Sequence, residues 1–386
     1  MAVGHDIGTM NLVCARVDSI DGSTAFTRER NVFAQVRENL NDPEDILRNN
    51  NYSYVKLKDQ LYVVGEDVFK IHEIESLFKK TGSQTSYFSE VRRPMQNGLI
   101  NTSEEKMSIA IIQEIIKKIL GKPAFPGEVC CFCFPGDPVN SKNNVTFHKS
   151  LFTNFVRSLG FTPESINEAV AIILSECPQI DSDEEPGGVA RFTGISFSFG
   201  SGLANCALVY KQLPLLTFSI EGGGGDWVDE EAAKVAGTDR TTITRFKEKN
   251  FDLDAVDQSD FKSAALEVFY DTMIENVVKN FAARFEKLDE KINAPLEICV
   301  AGGGAMVPGF INKFKSVISR IDLPFHVKNV KLAQAPLFAV ANGCLIKATA
   351  VENKSKKLTI SKVDPKKEQT ENKENAPEKI KLKKPE

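Results

Sequence analysis

The feature that most constrains this fold is a repeated strand–glycine–strand pattern. Val3–Asp18 joins two apolar runs through Gly8-Thr9-Met10-Asn11, and Ile195–Tyr210 joins two more through Gly200-Ser201-Gly202. The two hairpins lie about half a body apart, and each begins a half of the chain. Two α/β halves with a glycine turn in each suggest two domains clamping one ligand between them. A glycine turn lets backbone N–H groups approach phosphate oxygens with no Cβ in the way. A helix N-terminus nearby adds a favourable field for anions.

The remaining segments alternate between strand and helix patterns, which predicts α/β layers. Tyr54–Val64 reads as a strand pair around Lys58-Asp59-Gln60. Glu104–Leu120 carries Ile111, Ile112, Ile115, Ile116 and Ile119 at helical spacing and stops at Gly121. Glu128–Phe134 reads as a short buried strand. Ser165–Ser175 reads as a helix entered through Thr162-Pro163-Glu164, and Asp260–Lys287 as a long amphipathic helix. Leu296–Val300 reads as a strand, with a glycine turn at Ala301–Gly304 and a helix at Gly309–Ser319. Asp181–Gly188 is acidic and carries Pro-Gly-Gly, a surface loop and domain boundary.

Charge and cysteine usage set limits on function. The formal net charge is −4, so no global basic field attracts nucleic acid. Residues 351–386 hold eleven lysines against seven acids and no aromatics, and read as a disordered, mildly basic tail. Without them, 37 basic and 45 acidic residues remain, so the body carries −8. No apolar run is long enough to span a membrane, and the stretch before Val3 leads to the expectation of no secretory signal. Cys130, Cys131, Cys133, Cys206, Cys299 and Cys344 sit in apolar runs, which predicts reduced thiols in a cytoplasmic protein. Neighbours on a strand point to opposite faces, so the Cys130–Cys133 group reads as core and not as a metal site. The four histidines are scattered with no ligand spacing.

Five glycine-bearing segments in a fixed order resemble the actin-like ATPase superfamily, which includes actins, seventy-kilodalton chaperones and sugar kinases. Asp6-Ile7-Gly8-Thr9-Met10-Asn11 resembles its first phosphate loop, and Ser198-Phe199-Gly200-Ser201-Gly202 stands at the second. Asn167–Ala171 resembles the first connecting helix, and Ala335–Gly343 the second. Gly224-Gly225-Asp226 resembles the glycine pair after the second hairpin. Lys247-Glu248-Lys249 resembles an adenine-side segment, and Ala301–Gly309 the adenosine motif. Val55–Val68 and Arg93–Ile100 are similar to the small outer subdomain and return strand of MreB-type bacterial actins.

The resemblance implies an actin-like fold of two duplicated α/β domains around a nucleotide cleft. Its domain I would span 1–180 with an outer subdomain near 30–98, and domain II 181–333. A return helix would occupy 334–350, and the tail 351–386. It further implies Mg²⁺ and ATP as cofactors. Asp6 would hold the metal, as hard oxygen chemistry favours. Gly8, Thr9, Met10 and Asn11 would cradle phosphates, with Gly200, Ser201 and Gly202 opposite. Gly224 and Gly225 would approach the terminal phosphate. Gly302, Gly303, Gly304 and Met306 would pass under the adenosine, and Lys247 and Glu248 would face base or ribose. Glu168 stands where the family orients the attacking water. Read without the family, Lys247-Glu248-Lys249 is a solvated helix face and Trp227 a packed anchor.

One position departs from the family. Ser198 replaces an aspartate, and Leu203 and Ala204 replace hydroxyl residues. One metal-side carboxylate is lost, which predicts slow hydrolysis unless Asp226 or Asp229 compensates. The function implied is a cytoskeletal ATPase that polymerises by self-association, since head-to-tail contacts build open filaments. Rivals are a nucleotide-bound scaffold that does not polymerise and a chaperone-like ATPase; a sugar kinase fits least. The basic tail could recruit a protein or an anionic membrane.

Overall fold

The computed structural model describes residues 2–18, 20–80, 86–101, 107–139, 145–177 and 193–360. The acidic loop expected at Asp181–Gly188 lies outside the described residues, as does the tail beyond residue 360.

The first half opens with β1 (Val3–Ile7), β2 (Asn11–Val17) and β3 (Thr24–Arg30). An outer layer follows: β4 (Phe33–Gln35), α1 (Pro43–Asn49), β5 (Tyr54–Leu57), β6 (Gln60–Val64) and α2 (Asp67–Lys80). A small ribbon, β7 (Met95–Gln96) and β8 (Leu99–Ile100), returns the chain to the main body. Then come α3 (Ser108–Leu120), β9 (Val129–Phe134), α4 (Val145–Ser158), β10 (Thr162–Asn167) and α5 (Glu168–Glu176).

The second half opens with β11 (Gly194–Phe199), β12 (Leu203–Tyr210) and β13 (Leu213–Glu221). Helices α6 (Gly225–Ala236), α7 (Arg240–Asn250) and α8 (Phe261–Phe285) follow. The chain ends its described course in β14 (Leu296–Ala301), a 3-10 turn at Gly303–Met306, α9 (Phe310–Ile318), β15 (Val327–Leu332) and α10 (Ala339–Ile360).

The duplication expected from the hairpins is explicit in the sheets. One runs β10-β9-β1-β2-β3 and the other β13-β12-β11-β14-β15. In each, the first hairpin strand has an antiparallel neighbour on one side and a parallel one on the other. The outer strands β4, β5 and β6 form a separate antiparallel sheet, with its own small core around Val32, Leu47, Val63 and Val68. The core of the second half is rich in aromatics. Phe197 packs against Phe281 at 5.1 Å and Phe199 against Phe310 at 5.1 Å between ring centroids. Such edge-on contacts add to the area that these rings remove from water.

Two expectations need correction. Thr162–Asn167 is a strand and not a helix entry: it pairs in parallel with β9 from Thr162↔Val129 to Asn167↔Phe134. The helix begins at Glu168, because the Asn167 side chain accepts from the N–H groups of Ala169 and Val170 and caps it. The return helix also runs past residue 350. It continues to Ile360, ten residues into the expected tail, with Glu352 buried. No proline or glycine stops it before Pro365.

Helices α5 and α10 cross between the two sheets. A Cβ at Gly343 would overlap the Ala171 backbone carbonyl, and one at Gly4 would overlap that of Ala341. Backbone therefore meets backbone where α10 lies on α5 and on β1. All eight cysteines are buried and free. No group of three metal-ligating side chains occurs among the described residues.

Candidate functional site

The two glycine turns face each other across a cavity of about 400 Å³ between the halves. Of the residues that sequence reasoning singled out, Asp6, Gly8, Thr9, Met10 and Asn11 line it from the first hairpin. Gly200, Ser201 and Gly202 line it from the second. Glu168, Gly225, Lys247, Glu248, Gly302, Gly303, Gly304 and Met306 complete the wall. Gly224 is not part of the lining. A Cβ there would meet the Leu203 amide nitrogen at 2.5 Å, so it serves the close packing of its turn on the second loop.

The chemistry concentrates at the floor. Glu168 occupies the first turn of α5, where a carboxylate is favoured by the helix field. Its Oε1 accepts from the Ser198 hydroxyl at 2.7 Å, and its Oε2 accepts from Asn205 Nδ2 at 2.7 Å. Asp6 stands beside it, with Oδ1 accepting from the Cys133 thiol at 3.1 Å. Burial pushes the Asp6 carboxyl up to about 8, and the nearby Glu168 charge adds to the rise; the Cys133 contact opposes it. Burial raises Glu168 as well, against the bonds from Ser198 and Asn205. Two carboxylates held this close cannot both stay ionised without a countercharge.

The residue that departs from the family pattern is thus structurally engaged. Ser198 is buried, and it orients Glu168 across the floor. Asn205 was missed by sequence reasoning, although it is the lone strongly polar residue inside the apolar strand Leu203–Tyr210. A buried amide in such a strand demands partners. It donates to Glu168, and its Oδ1 accepts from the Gly136 N–H at 2.9 Å, which ties it to the first half.

The side walls carry paired charges. Asp226, one of the two acids that could compensate for the absent aspartate, already has partners across the cleft. It accepts from Arg93 at 2.5 Å and from the Ser201 hydroxyl at 2.8 Å. Burial opposes its charge, but Arg93 outweighs that and holds the carboxyl below its usual range. Asp229 is engaged by Lys247 at 2.6 Å and by the Thr244 hydroxyl at 2.7 Å. Burial raises it and Lys247 opposes the rise. Lys247 is therefore not on a solvated face, whereas its neighbours Glu248 and Lys249 are exposed. Arg30 reaches Glu66 at 3.2 Å and Glu248 at 3.6 Å, linking the outer layer to α7. Trp227 packs at a right angle to Phe269, 5.7 Å between centroids, as an anchor. His5 is buried with Nδ1 on the Val13 carbonyl, and its burial lowers its pKa to about 4.

Gly302 requires its residue type. Its φ is +96°, and a Cβ would strike the Phe199 backbone. The turn from β14 into Gly303–Met306 can therefore lie flat against the second hairpin. Gly98 donates its N–H to the Thr9 hydroxyl at 3.1 Å, so the return ribbon rests on the first loop.

Solved structures share this arrangement of sheets. The chain is similar to the MamK double helical filament, with a TM-score of 0.61 and 14% identity over 90% of this chain and 98% of that one. It is similar to MreB 5 of Spiroplasma citri bound to AMPPNP, with a TM-score of 0.57 and 14% identity over 93% and 97%. The ethanolamine utilization protein EutJ from Carboxydothermus hydrogenoformans matches at a TM-score of 0.50 and 15% identity, over 89% of each chain. A search of curated protein sequences finds no match. The family model described as Volactin matches residues 1–348. The chain has an actin-like fold and belongs to the Volactin family.

Proposed function

We propose that this chain is an actin-like cytoskeletal ATPase that takes Mg-ATP in its cleft and polymerises in a nucleotide-dependent way. The observation that carries this reading is the convergence of both glycine turns, Asp6, Glu168 and the Gly302–Gly304 turn on one cavity. Relatives of similar fold support it: MreB5 of Spiroplasma citri has been crystallised with AMPPNP and with ADP, and MamK forms a double helical filament. The domain division that goes with it is 1–180 and 181–333, with the return helix carried on to residue 360.

The residues present suit the ligand. Asn11 Oδ1 is buried with no hydrogen-bond partner among the described residues, an acceptor that suits a hydrated cation and not a phosphate oxygen. Asp6 and Glu168 share a floor that lacks a countercharge, which a divalent cation relieves. Asp6 would hold Mg²⁺, and Mg²⁺, when bound, supplies positive charge against the phosphate oxygens. The turns of Gly8–Asn11 and Gly200–Gly202 offer backbone N–H groups from opposite sides. Gly225 leaves room beside the terminal phosphate. Gly302–Gly304 and Met306 would pass under the adenosine, and Lys247 and Glu248 would face its base or ribose. Glu168, held by Ser198 and Asn205, accepts a hydrogen bond from a water and aims it at the terminal phosphate. This positioning is what phosphoryl transfer asks of a protein.

A second reading keeps nucleotide binding without turnover, as a non-polymerising scaffold. Ser198 favours it, since one metal-side carboxylate of the family pattern is absent. One experiment separates the two: light scattering of the purified protein on adding Mg-ATP, with phosphate release followed in the same sample. Rising scattering with phosphate release supports the ATPase filament. Flat scattering with bound nucleotide and no phosphate moves the assignment to the scaffold. No helix among the described residues is long and apolar enough to cross a membrane. The reading places the protein in the cytoplasm, with the lysine-rich C-terminal segment as its contact to a protein or an anionic membrane. Liposome co-sedimentation with and without residues 361–386 tests that contact.

A further inference from the structure

A second cavity of about 460 Å³ opens beyond the mouth of the first. Met10, Arg30, Asp226, Thr244 and Glu248 line both, so the two are continuous. One wall of this vestibule is the outer layer, with α2 and Arg92. The other is α7.

Its charge is opposite to that of the body. Seven lysines and arginines line it against four acids, in a chain of net charge −4. Three of those acids are already engaged, Asp226 by Arg93 and both Glu66 and Glu248 by Arg30. Arg240 adds its charge to Arg93 against Asp226, whereas Arg245 and Lys249 are in no ion pair among the described residues. Arg245 and Lys249 are one helical turn apart on α7, where like charges repel. Lys70 faces them from α2, and its own partner Asp67 lies outside the cavity. Arg92 stands over the Phe33 ring at 6.0 Å.

We infer that this vestibule is a binding site for a compact polyvalent anion of the polyphosphate class, separate from the nucleotide. A singly charged anion neutralises one wall only. A chain of linked phosphates presents charge to both walls, and its oxygens match guanidinium forks in pairs. Bridging α7 to the outer layer clamps the mouth and slows exit from the inner cavity. The site stands on its own charges; only this last consequence rests on the nucleotide reading.

The test uses the full-length protein loaded with a fluorescent ADP and titrated with inorganic tripolyphosphate, with free Mg²⁺ held constant. The expected result is one tripolyphosphate bound per chain, ADP retained and its dissociation slowed. Arg245→Glu with Lys249→Glu should weaken that binding by about tenfold or more, because two cationic contacts change sign. Sulfate at equal ionic strength should not reproduce it. Displacement of the ADP, equal affinity in the double variant, or binding only of an acidic peptide overturns the inference. A protein that takes no ADP at all refutes the nucleotide reading instead. The vestibule is then judged on the unloaded protein, where the double variant must still lose the same factor.

Discussion

Replacing Ser198 by aspartate should expose the electrostatics of the cavity floor. Ser198 is 1% exposed and donates to Glu168 at 2.7 Å. An aspartate there places a third carboxylate against Glu168 and near Asp6, both already pushed upward by burial. Two unit charges about 4 Å apart repel by roughly 4 kcal/mol at an effective dielectric of about 20. Proton uptake caps the penalty: holding a carboxyl protonated at pH 7, about three units above its ordinary value, costs roughly 4 kcal/mol. The nucleotide-free variant should therefore lose about 4 kcal/mol at pH 7 and about 1.4 kcal/mol less at pH 6. The sign follows from linkage. A carboxyl whose folded pKa is raised contributes stability below its unfolded value and loses it as pH rises through the folded one. Urea midpoints across pH 6 to 8 read the deficit. Ser198→Asn, nearly the same shape without charge, gives the steric part, which should not vary with pH. Mg-ATP should narrow the gap between Ser198→Asp and the parent. A deficit below about 1 kcal/mol at pH 7, or one that grows as pH falls, would refute the reasoning.

Two further outcomes follow from the same geometry. Glu168→Gln keeps the shape of the floor, so it should slow phosphate release by about a hundredfold or more while nucleotide affinity changes by less than about threefold; unchanged turnover removes Glu168 from the reaction. The pH dependence of stability should have two unlike arms. Burial lowers His5 and His148 from 6.5 to about 4. They therefore stabilise fully above pH 6.5 and less as pH falls through 4. Asp6, raised from 3.8 to about 8, works the other way: its contribution falls progressively as pH rises from its ordinary value and is fully lost above 8. Urea midpoints at pH 4.5, 6.5 and 8.5 should show both declines, and Mg-ATP should flatten the alkaline arm alone.

Much of the architecture was legible because the two hairpins advertise themselves locally. Apolar runs flank glycine turns in each, and the sheets grow outward from them. Thr162–Asn167 was misread because Thr-Pro-Glu has the chemistry of a helix start, while its strand exists only through pairing with β9, which is remote in sequence. The candidate site residues were found as glycine and carboxylate patterns, and all of them but Gly224 line one cavity. The Asp229–Lys247 pair was invisible, since nothing in either segment states which face of its helix turns inward. Ser198 was legible as a departure but not as the group that holds Glu168. The vestibule was hidden by bulk charge: a body of −8 gives no sign that Arg240, Arg245 and Lys249 gather opposite Lys70.

The contact between α5 and α10 limits how the two halves can move. Side-chain interfaces absorb small displacements by changing rotamers. At Gly343 and Ala171 no side chain lies between the rods, so that freedom does not exist. At that point the pair behaves as a dry bearing that can turn but not yield, while Asn342 on Ser175 adds a side-chain tie further along the same crossing. Any change in the angle between the sheets must be accommodated at the helix ends and in the cleft walls, while the crossing itself stays fixed as the fulcrum.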